Sequence, residues 1–482
     1  MNQSYSYRLT DKGNVEALIS KYGSKIRFCP LTNRWFIWND QVWDSSLGDS
    51  PLYPMIFETL RTRRLSIAGQ DSEVSKKVDR HLKGSENFRK LRDAVGVAAK
   101  MPELRRTSLE FDQSPWKIGL LDGELDLATQ KWNPPNPASF LTMQAGVSYS
   151  PGADAPRWIR FLSEIFQGDE LLMRWVQKAI GYCLTGDVRE QVMFICVGEG
   201  ANGKSTFLEV IKNLLGNYSA TASFNTFSAL SRNDQTNDLA RLKGKRLVTI
   251  IESEEDAYLA ESKVKTVTGD EAISCRFLFR EFFEYVPQFK VWMAVNREPQ
   301  IRGTDHGIKR RVLIIRFDRR FEGNSRVDNL KEELLKELPG VLNWALEGLR
   351  MWREEGLRSD LPVAISEANT RYVEEMDTMG QWLNECVEVV EPERFERAND
   401  LYQSYSVWMK LAGLKPKGRT QWGKDMRIKE VGIKKRDKHG ERYMGLSLVY
   451  DLGLPQPDKT PVMLQIPGIL PQVKELHIRE DN

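Results

Sequence analysis

Eight consecutive residues constrain this chain more than any others: Gly198-Glu-Gly-Ala-Asn-Gly203-Lys204-Ser205. They fit the pattern G-x-x-x-x-G-K-[ST], a backbone that turns tightly enough to aim several N–H groups at one phosphate. The pattern works in one setting only. A strand must deliver the chain to the loop and a helix must leave it, so that the positive end of the helix adds to the anion site. Both flanks are present, the apolar run VMFICV (Val192–Val197) before the loop and STFLEVIKNLL after it. In such a loop the lysine reaches the β- and γ-phosphates and the following hydroxyl ligates Mg²⁺. ATP and Mg²⁺ are therefore the expected cofactors, held by Gly198, Glu199, Gly200, Ala201, Asn202, Gly203, Lys204, Ser205 and Thr206.

Three more apolar runs follow: RLVTII (Arg246–Ile251), KVWMAV (Lys290–Val295) and RVLIIRF (Arg311–Phe317). Continuous rather than alternating hydrophobicity, with helical stretches between several of them, predicts strands buried on both faces of a largely parallel sheet. What lies at the strand ends carries the chemistry. RLVTII runs into Glu252-Ser-Glu254-Glu255-Asp256. A phosphate-loop ATPase needs a carboxylate to hold Mg²⁺ and polarise the attacking water. Glu252 is the first one past the strand, and Glu254 points the same way if the chain stays extended. The competing reading is that residues 254–256 solvate a helix N-terminus. KVWMAV ends at Asn296, a polar group placed to orient the water, or a turn residue ahead of Pro299. Arg310 and Arg311 open RVLIIRF, where an arginine can reach a neighbouring subunit's γ-phosphate. The alternative is a surface cation pair.

The 482 residues exceed one ordinary core, and length alone suggests about three domains. The order of signals predicts a mixed α+β domain (1–115), a hairpin and helical domain (116–190) and the phosphate-loop core (191–320). A helical lid (321–375), a basic module (380–452) and a tail (453–482) follow. Asn39-Asp40 and Asp122-Gly123 mark hairpin turns, Tyr53 to Lys100 reads as helical, and Pro339 interrupts a helical pattern over 327–357. Five scattered cysteines and four histidines suggest neither a disulfide framework nor a zinc site. With no apolar run of about 18 residues and no signal-peptide core, the cytoplasm of a bacterial host is the expected compartment and no membrane is expected as a partner. Net charge is only +3, so nucleic-acid binding must come from local patches. One such patch, Lys410–Arg442, holds twelve Lys/Arg against four Asp/Glu. Its pattern is a helix (399–411), a second helix (420–429) and a turn KRDKHGER before YMGLSLVY, which reads as a winged helix. Lys434, Lys435 and Arg436 are its expected DNA contacts.

In this order the pieces resemble superfamily 3 helicases. Among these the chain is most similar to the phage/plasmid primase–helicase family, with its poxvirus-type and satellite-phage-type replicative helicases. The carrying segments are GEGANGKST (Gly198–Thr206), KRLVTIIESEE (Lys245–Glu255), VKTVTGDEAISCR (Val264–Arg276), FKVWMAVNREPQI (Phe289–Ile301) and GIKRRVLIIRF (Gly307–Phe317). IGLLDGELDL (Ile118–Leu127) and the Tyr149–Leu162 stretch resemble the domain ahead of the helicase. The resemblance covers roughly residues 100–360 well and the first 100 residues and 380–450 more loosely. It implies an AAA+-like ATPase that closes as a homo-hexamer around single-stranded or forked DNA and translocates 3′ to 5′. Each ATP site would be completed by the neighbour, through Arg311 or, as the second choice, Arg310. Glu252 with Glu254 matches the acidic motif and Asn296 the polar sensor. The DNA-contacting hairpin falls at about Ser274–Pro287, with Arg276, Phe279 and Arg280 as contacts. Many members carry a primase domain ahead of the helicase. The first 115 residues here show no strand ending in an Asp-x-Asp metal pair, so a separate primase is the expected partner.

Two functions remain in competition on the sequence. One is a ring helicase that replicates a phage, plasmid or other mobile element. The other is an ATP-dependent initiator or scaffold that assembles on DNA without processive unwinding. An unrelated phosphate-loop enzyme fits poorly with Asn296, the arginine pair and the basic segment.

Overall fold

Thr10 starts helix α1 (Asp11–Tyr22), its hydroxyl accepting the Gly13 N–H. The aromatic segment that follows forms an antiparallel meander of β1 (Ile26–Cys29), β2 (Arg34–Trp38) and β3 (Trp43–Asp44). Its second turn falls at Asn39-Asp40 as the sequence predicts, the Asn39 carboxamide accepting the N–H groups of Gln41 and Val42. Helices α2 (Leu52–Leu65), α3 (Glu73–Ser85) and α4 (Phe88–Ala98) fill the stretch read as helical and share one core with β1 and β2. The structure is a computed structural model; it describes residues 7–107, 110–227, 236–251, 258–277, 281–302, 307, 310–323, 327–437 and 440–449. Two compact units, Met1–Val373 and Glu374–Asn482, make up the chain.

A second meander, β4 (Lys117–Gly119), β5 (Glu124–Asp126) and β6 (Lys131–Asn133), turns at Asp122-Gly123 as expected. Helices α5 (Pro156–Ile165) and α6 (Glu170–Cys183) then lead into the sheet that organises the unit. Its elements are β7 (Met193–Val197), α7 (Lys204–Leu215), β8 (Ser219–Thr221), α8 (Thr236–Ala240) and β9 (Leu247–Ile251). Next come β10 (Tyr258–Ala260), α9 (Glu261–Thr268), β11 (Ile273–Cys275), β12 (Phe283–Tyr285), β13 (Lys290–Val295), β14 (Gln300–Arg302) and β15 (Val312–Arg316). The sheet order is β15-β7-β13-β9-β8, and every pairing is parallel. The four apolar runs are four of these five strands. The fifth, β8, is three residues long and too short for a periodic signal.

Two buried cations anchor this sheet to the elements before it. Lys290, which opens β13, donates to the carbonyls of Thr185 at 2.5 Å and Asp187 at 3.1 Å. Arg246, just before β9, donates to the carbonyls of Leu184 and Lys117. Carbonyls 184–187 trail the end of α6, where a helix leaves acceptors unpaired and favours positive charge.

Helices α10 (Leu330–Lys336), α11 (Leu338–Glu355) and α12 (Val363–Met376) complete the unit. The helical pattern is interrupted beside Pro339 as expected: α10 ends at Lys336, and Pro339 sits in the first turn of α11, where its missing N–H would have had no partner. Helix α12 covers the outer edge of β15, with the Asn369 side chain accepting the Ile314 N–H at 2.9 Å. One buried cluster runs from Ile118 to Ile365 through Trp158, Phe207, Trp292 and Phe317. None of the helices among the described residues is long and apolar enough to cross a membrane.

The second unit holds α13 (Thr378–Cys386), β16 (Val387–Val389), β17 (Phe395–Arg397), α14 (Ala398–Leu411), α15 (Arg419–Ile428), β18 (Ile433–Asp437), β19 (Gly440–Met444) and β20 (Leu446–Leu448). Strands pair antiparallel in the order β17-β19-β18, and Trp382, Tyr405, Trp422 and Tyr443 fill the core. The segment KRDKHGER is mostly ladder rather than turn. Lys434 pairs across the strands with Glu441 at 3.0 Å, and neighbouring Tyr443 is buried, so both arms gain by staying extended. The expected tail, 453–482, lies outside the described residues.

Helices α6 and α11 pack backbone to backbone. A Cβ on Gly348 would lie 2.0 Å from the Gln177 carbonyl oxygen. Gly348→Ala is expected to cost about 1–3 kcal/mol of stability through overpacking, read as a lower thermal midpoint. Gly84→Ala, on open surface of α3, should leave the midpoint unchanged or raise it.

Candidate functional site

Parallel pairing brings three strand ends to one edge of the sheet. Val197 of β7 is level with Val295 of β13, and Ala294 with Ile251 of β9. Gly198 and Asn296 therefore leave the sheet side by side, about 5 Å apart by strand spacing. In open parallel sheets ligands bind at this carboxyl edge. Glu252 and Glu254 lie outside the described residues; β9 ends at Ile251, directly before Glu252. Asn296 is exposed.

The phosphate loop turns through left-handed backbone at Gly200, Ala201 and Gly203, and Lys204 begins α7. Gly203 has φ 88°, and a Cβ there would lie 2.8 Å from Ile165 Cγ2, so the loop rests directly on α5. Lys204 is buried, and its Nζ donates to the Gly198 carbonyl at 2.5 Å and to Asn202 Oδ1 at 2.9 Å. Burial pushes its pKa down. Asn202 in turn donates through Nδ2 to the Phe317 carbonyl at 3.0 Å, tying the loop to the end of β15. Ser205 is exposed at the start of α7, and Thr206 is half-buried.

A cavity of about 430 Å³ lies between the end of α5, the end of β15 and α12, lined by Ile165, Phe166, Gln167, Arg316, Ala368 and Arg371, among others. Ile165 is the residue that packs on Gly203, and Arg316 pairs in register with Val197. Arg316 also bonds Glu298 at 3.0 Å and Asp318 at 3.1 Å, bridging the exits of β15 and β13. Sequence reading missed Arg316 and the cavity, whose walls come from three distant segments. The only trace was a cation ending an apolar run.

Arg310 and Arg311 sit at the opposite edge. The Arg311 carbonyl accepts the Met193 N–H at 2.7 Å, at the very start of β7. The length of β7 separates it from Gly198, roughly 20 Å at about 3.3 Å per residue. Arg310 is exposed. Arg311 is half-buried, and its Nη1 donates to Thr268 Oγ1 at 3.2 Å. Burial first, and then neighbouring Arg310, lowers its pKa.

The hairpin expected at Ser274–Pro287 is present, with β11 and β12 paired from Ile273↔Tyr285 to Cys275↔Phe283. Arg276 lies over the Phe282 ring at 4.6 Å. Phe277 and Phe282 are large apolar groups left 41% and 55% exposed, which marks them as available rings among the described residues of this hairpin. The sequence reading had named Phe279 and Arg280, which lie outside the described residues. In the second unit Lys434, Lys435 and Arg436 lie exposed on β18, and Arg419, Lys424 and Arg427 lie exposed on α15. Among the described residues no cluster of His, Cys, Asp and Glu could hold a metal ion.

Comparison with known proteins places this architecture. Residues 15–167 match the domain described as D5 N terminal like, and residues 196–311 match a family of unknown function. A candidate helicase of Acanthamoeba polyphaga mimivirus is 25% identical over 324 residues, 62% of this chain and 33% of that protein. A candidate primase of African swine fever virus is 25% identical over 219 residues, 44% of this chain and 21% of that protein. Over these stretches the chain is similar to a D5-type domain and to viral helicase and primase proteins. The apo C-terminal region of NrS-1 shares its fold, with a TM-score of 0.51 at 13% identity, covering 88% of this chain and 96% of that one. The stretch shared with the viral relatives is about a third of their length or less. The segment that matches the D5 N terminal like domain includes α5, on which the phosphate loop rests.

Gly203→Ala combines left-handed strain of about 1–2 kcal/mol with a clash against Ile165. It is expected to weaken Mg-ATP binding about tenfold or more, since about 1.4 kcal/mol is tenfold, measured by calorimetric titration.

Proposed function

We propose that this chain is an ATP-driven DNA helicase of the superfamily 3 type, working as an AAA+-like homo-hexameric ring that moves 3′ to 5′ along single-stranded or forked DNA during replication of a phage, plasmid or other mobile element. One observation carries the reading. The sheet holds Arg311 and Gly198 at opposite edges, beyond the reach of an arginine side chain within one copy. If Arg311 acts at a γ-phosphate, it must do so in a second copy, and a head-to-tail contact repeated around an axis closes a ring.

Within one site Lys204 and the loop N–H groups hold the phosphates, and Ser205 with Glu252 supplies ligands to Mg²⁺, which draws charge from the γ-phosphate. The exposed Ser205 hydroxyl at the start of α7 and the strand end before Glu252 fit that ion. Glu252, with Glu254 beside it, polarises the attacking water and Asn296 orients it. The cavity at the ends of α5 and β15 takes the base and ribose; its volume lies within roughly the 300–1,000 Å³ of small-molecule sites. On the hairpin, Arg276 meets phosphate while Phe277 and Phe282 stack on bases. The second unit, with β17-β19-β18 beside three helices, acts as a winged helix whose exposed cations grip DNA backbone. A separate primase supplies primers. The exposed cations of α15 and β18 also favour a second reading, an initiator that assembles on DNA and spends ATP only on assembly.

The protein with Mg-ATP is expected to separate a forked duplex with a 3′ tail and to leave one with only a 5′ tail paired. ATP hydrolysis without strand separation on either fork would favour the initiator instead. Arg311→Ala is expected to bind ATP nearly normally and to lose about 10³-fold or more in kcat. Near-normal turnover by this variant would remove Arg311 from the site.

A further inference from the structure

The contact that holds Arg311 ends at the root of the DNA hairpin. Thr268 is the last residue of α9, and β11 begins only a short link later, at Ile273. Thr268 is 3% exposed, so its hydroxyl has no recourse to water. It donates to the Val264 carbonyl at 2.7 Å, which commits its only proton. What remains is lone-pair density, and Arg311 Nη1 occupies it at 3.2 Å. Arg311 Nε is buried and has no hydrogen-bond partner among the described residues, so this guanidinium is incompletely satisfied where it rests. Such a group gains by moving to an anionic acceptor, and an Arg–phosphate pair can be bidentate, with two parallel N–H bonds to charged oxygens in place of one to a neutral hydroxyl.

From this geometry we infer that Thr268 is a positioning residue that links Arg311 to the β11–β12 hairpin, so that a neighbouring copy's γ-phosphate and the base of the hairpin compete for one guanidinium. The inference rests on the reading of Arg311 as the arginine that acts in the neighbouring site. When Arg311 turns to phosphate, Thr268 and the end of α9 lose their restraint, and the hairpin root is free to shift. When DNA displaces the hairpin, Thr268 withdraws and Arg311 is released toward phosphate. The coupling is reciprocal, as linkage requires.

The test is Thr268→Val, which keeps shape and burial and removes the acceptor, with Thr268→Ser as the conservative control. ATP turnover of the full chain is measured with and without single-stranded DNA, and KM for ATP in each case. Thr268→Val is expected to lower the ratio of stimulated to unstimulated kcat at least fivefold with KM for ATP within twofold of the parent, and Thr268→Ser is expected to restore the ratio. An unchanged ratio in Thr268→Val, a fall of both rates in proportion, or a Thr268→Ser variant as impaired as Thr268→Val would each overturn the link. Arg311→Ala is run alongside. If it is inactive while Thr268→Val keeps the parent ratio, only the link fails. If Arg311→Ala turns over normally, the reading beneath the link fails with it.

Discussion

Parallel pairing of β7 between β15 and β13 is the constraint on which the rest of the structure depends. A parallel strand pair fixes direction as well as register. It sends the phosphate loop, the polar exit of β13 and the end of β9 out of one edge, and leaves the entry to β15 at the other. That pairing alone brings Gly198 and Asn296 out of the sheet side by side and leaves Arg311 at the far edge. The same pairing explains the uninterrupted apolar runs, because strands covered on both faces have no polar side to display.

Keeping that sheet in place falls to groups that carry no catalytic chemistry. Lys290 and Arg246 bind carbonyls at the end of α6, and these bonds are made where a helix end concentrates unpaired acceptors. Gly203 lets the loop settle on Ile165, and Asn202 fastens the loop to the end of β15. Helix α12 closes the sheet's open edge through Asn369 and donates the Tyr372 hydroxyl to the Pro299 carbonyl at 2.6 Å, just past Asn296. The edge that carries the phosphate loop is thus braced from α5 on one side and α12 on the other. The D5-type segment therefore forms part of the floor on which the phosphate loop lies.

Much of this was legible in the sequence because it is local. The phosphate loop, four of the five sheet strands, the two hairpin turns and two of the three helices of the second unit announce themselves in consecutive residues. What was not legible is relational. Strand β8 is three residues long and is held by its neighbour rather than by its own pattern. Arg316 reads as an ordinary strand-end cation until β15 is laid beside β7. The cavity takes its walls from residues near 165, 316 and 368, which no window spans. Phe277 and Phe282 are indistinguishable in sequence from the core phenylalanines around them, and only exposure separates them. The segment KRDKHGER looked like a turn because it is charged, yet the cross-strand pair Lys434–Glu441 makes it a ladder.

The most direct test of a site shared between copies mixes two inactive variants. Lys204→Ala lacks the phosphate-loop lysine and keeps Arg311; Arg311→Ala keeps the loop and lacks the arginine. Each alone is expected to hydrolyse ATP negligibly in the presence of single-stranded DNA. Mixed, with exchange of subunits, they form some interfaces in which the loop of one faces the intact arginine of the other, and the account predicts that hydrolysis returns to a measurable part of the parent rate. A mixture as inactive as its two components, under conditions where subunits demonstrably exchange, would contradict it.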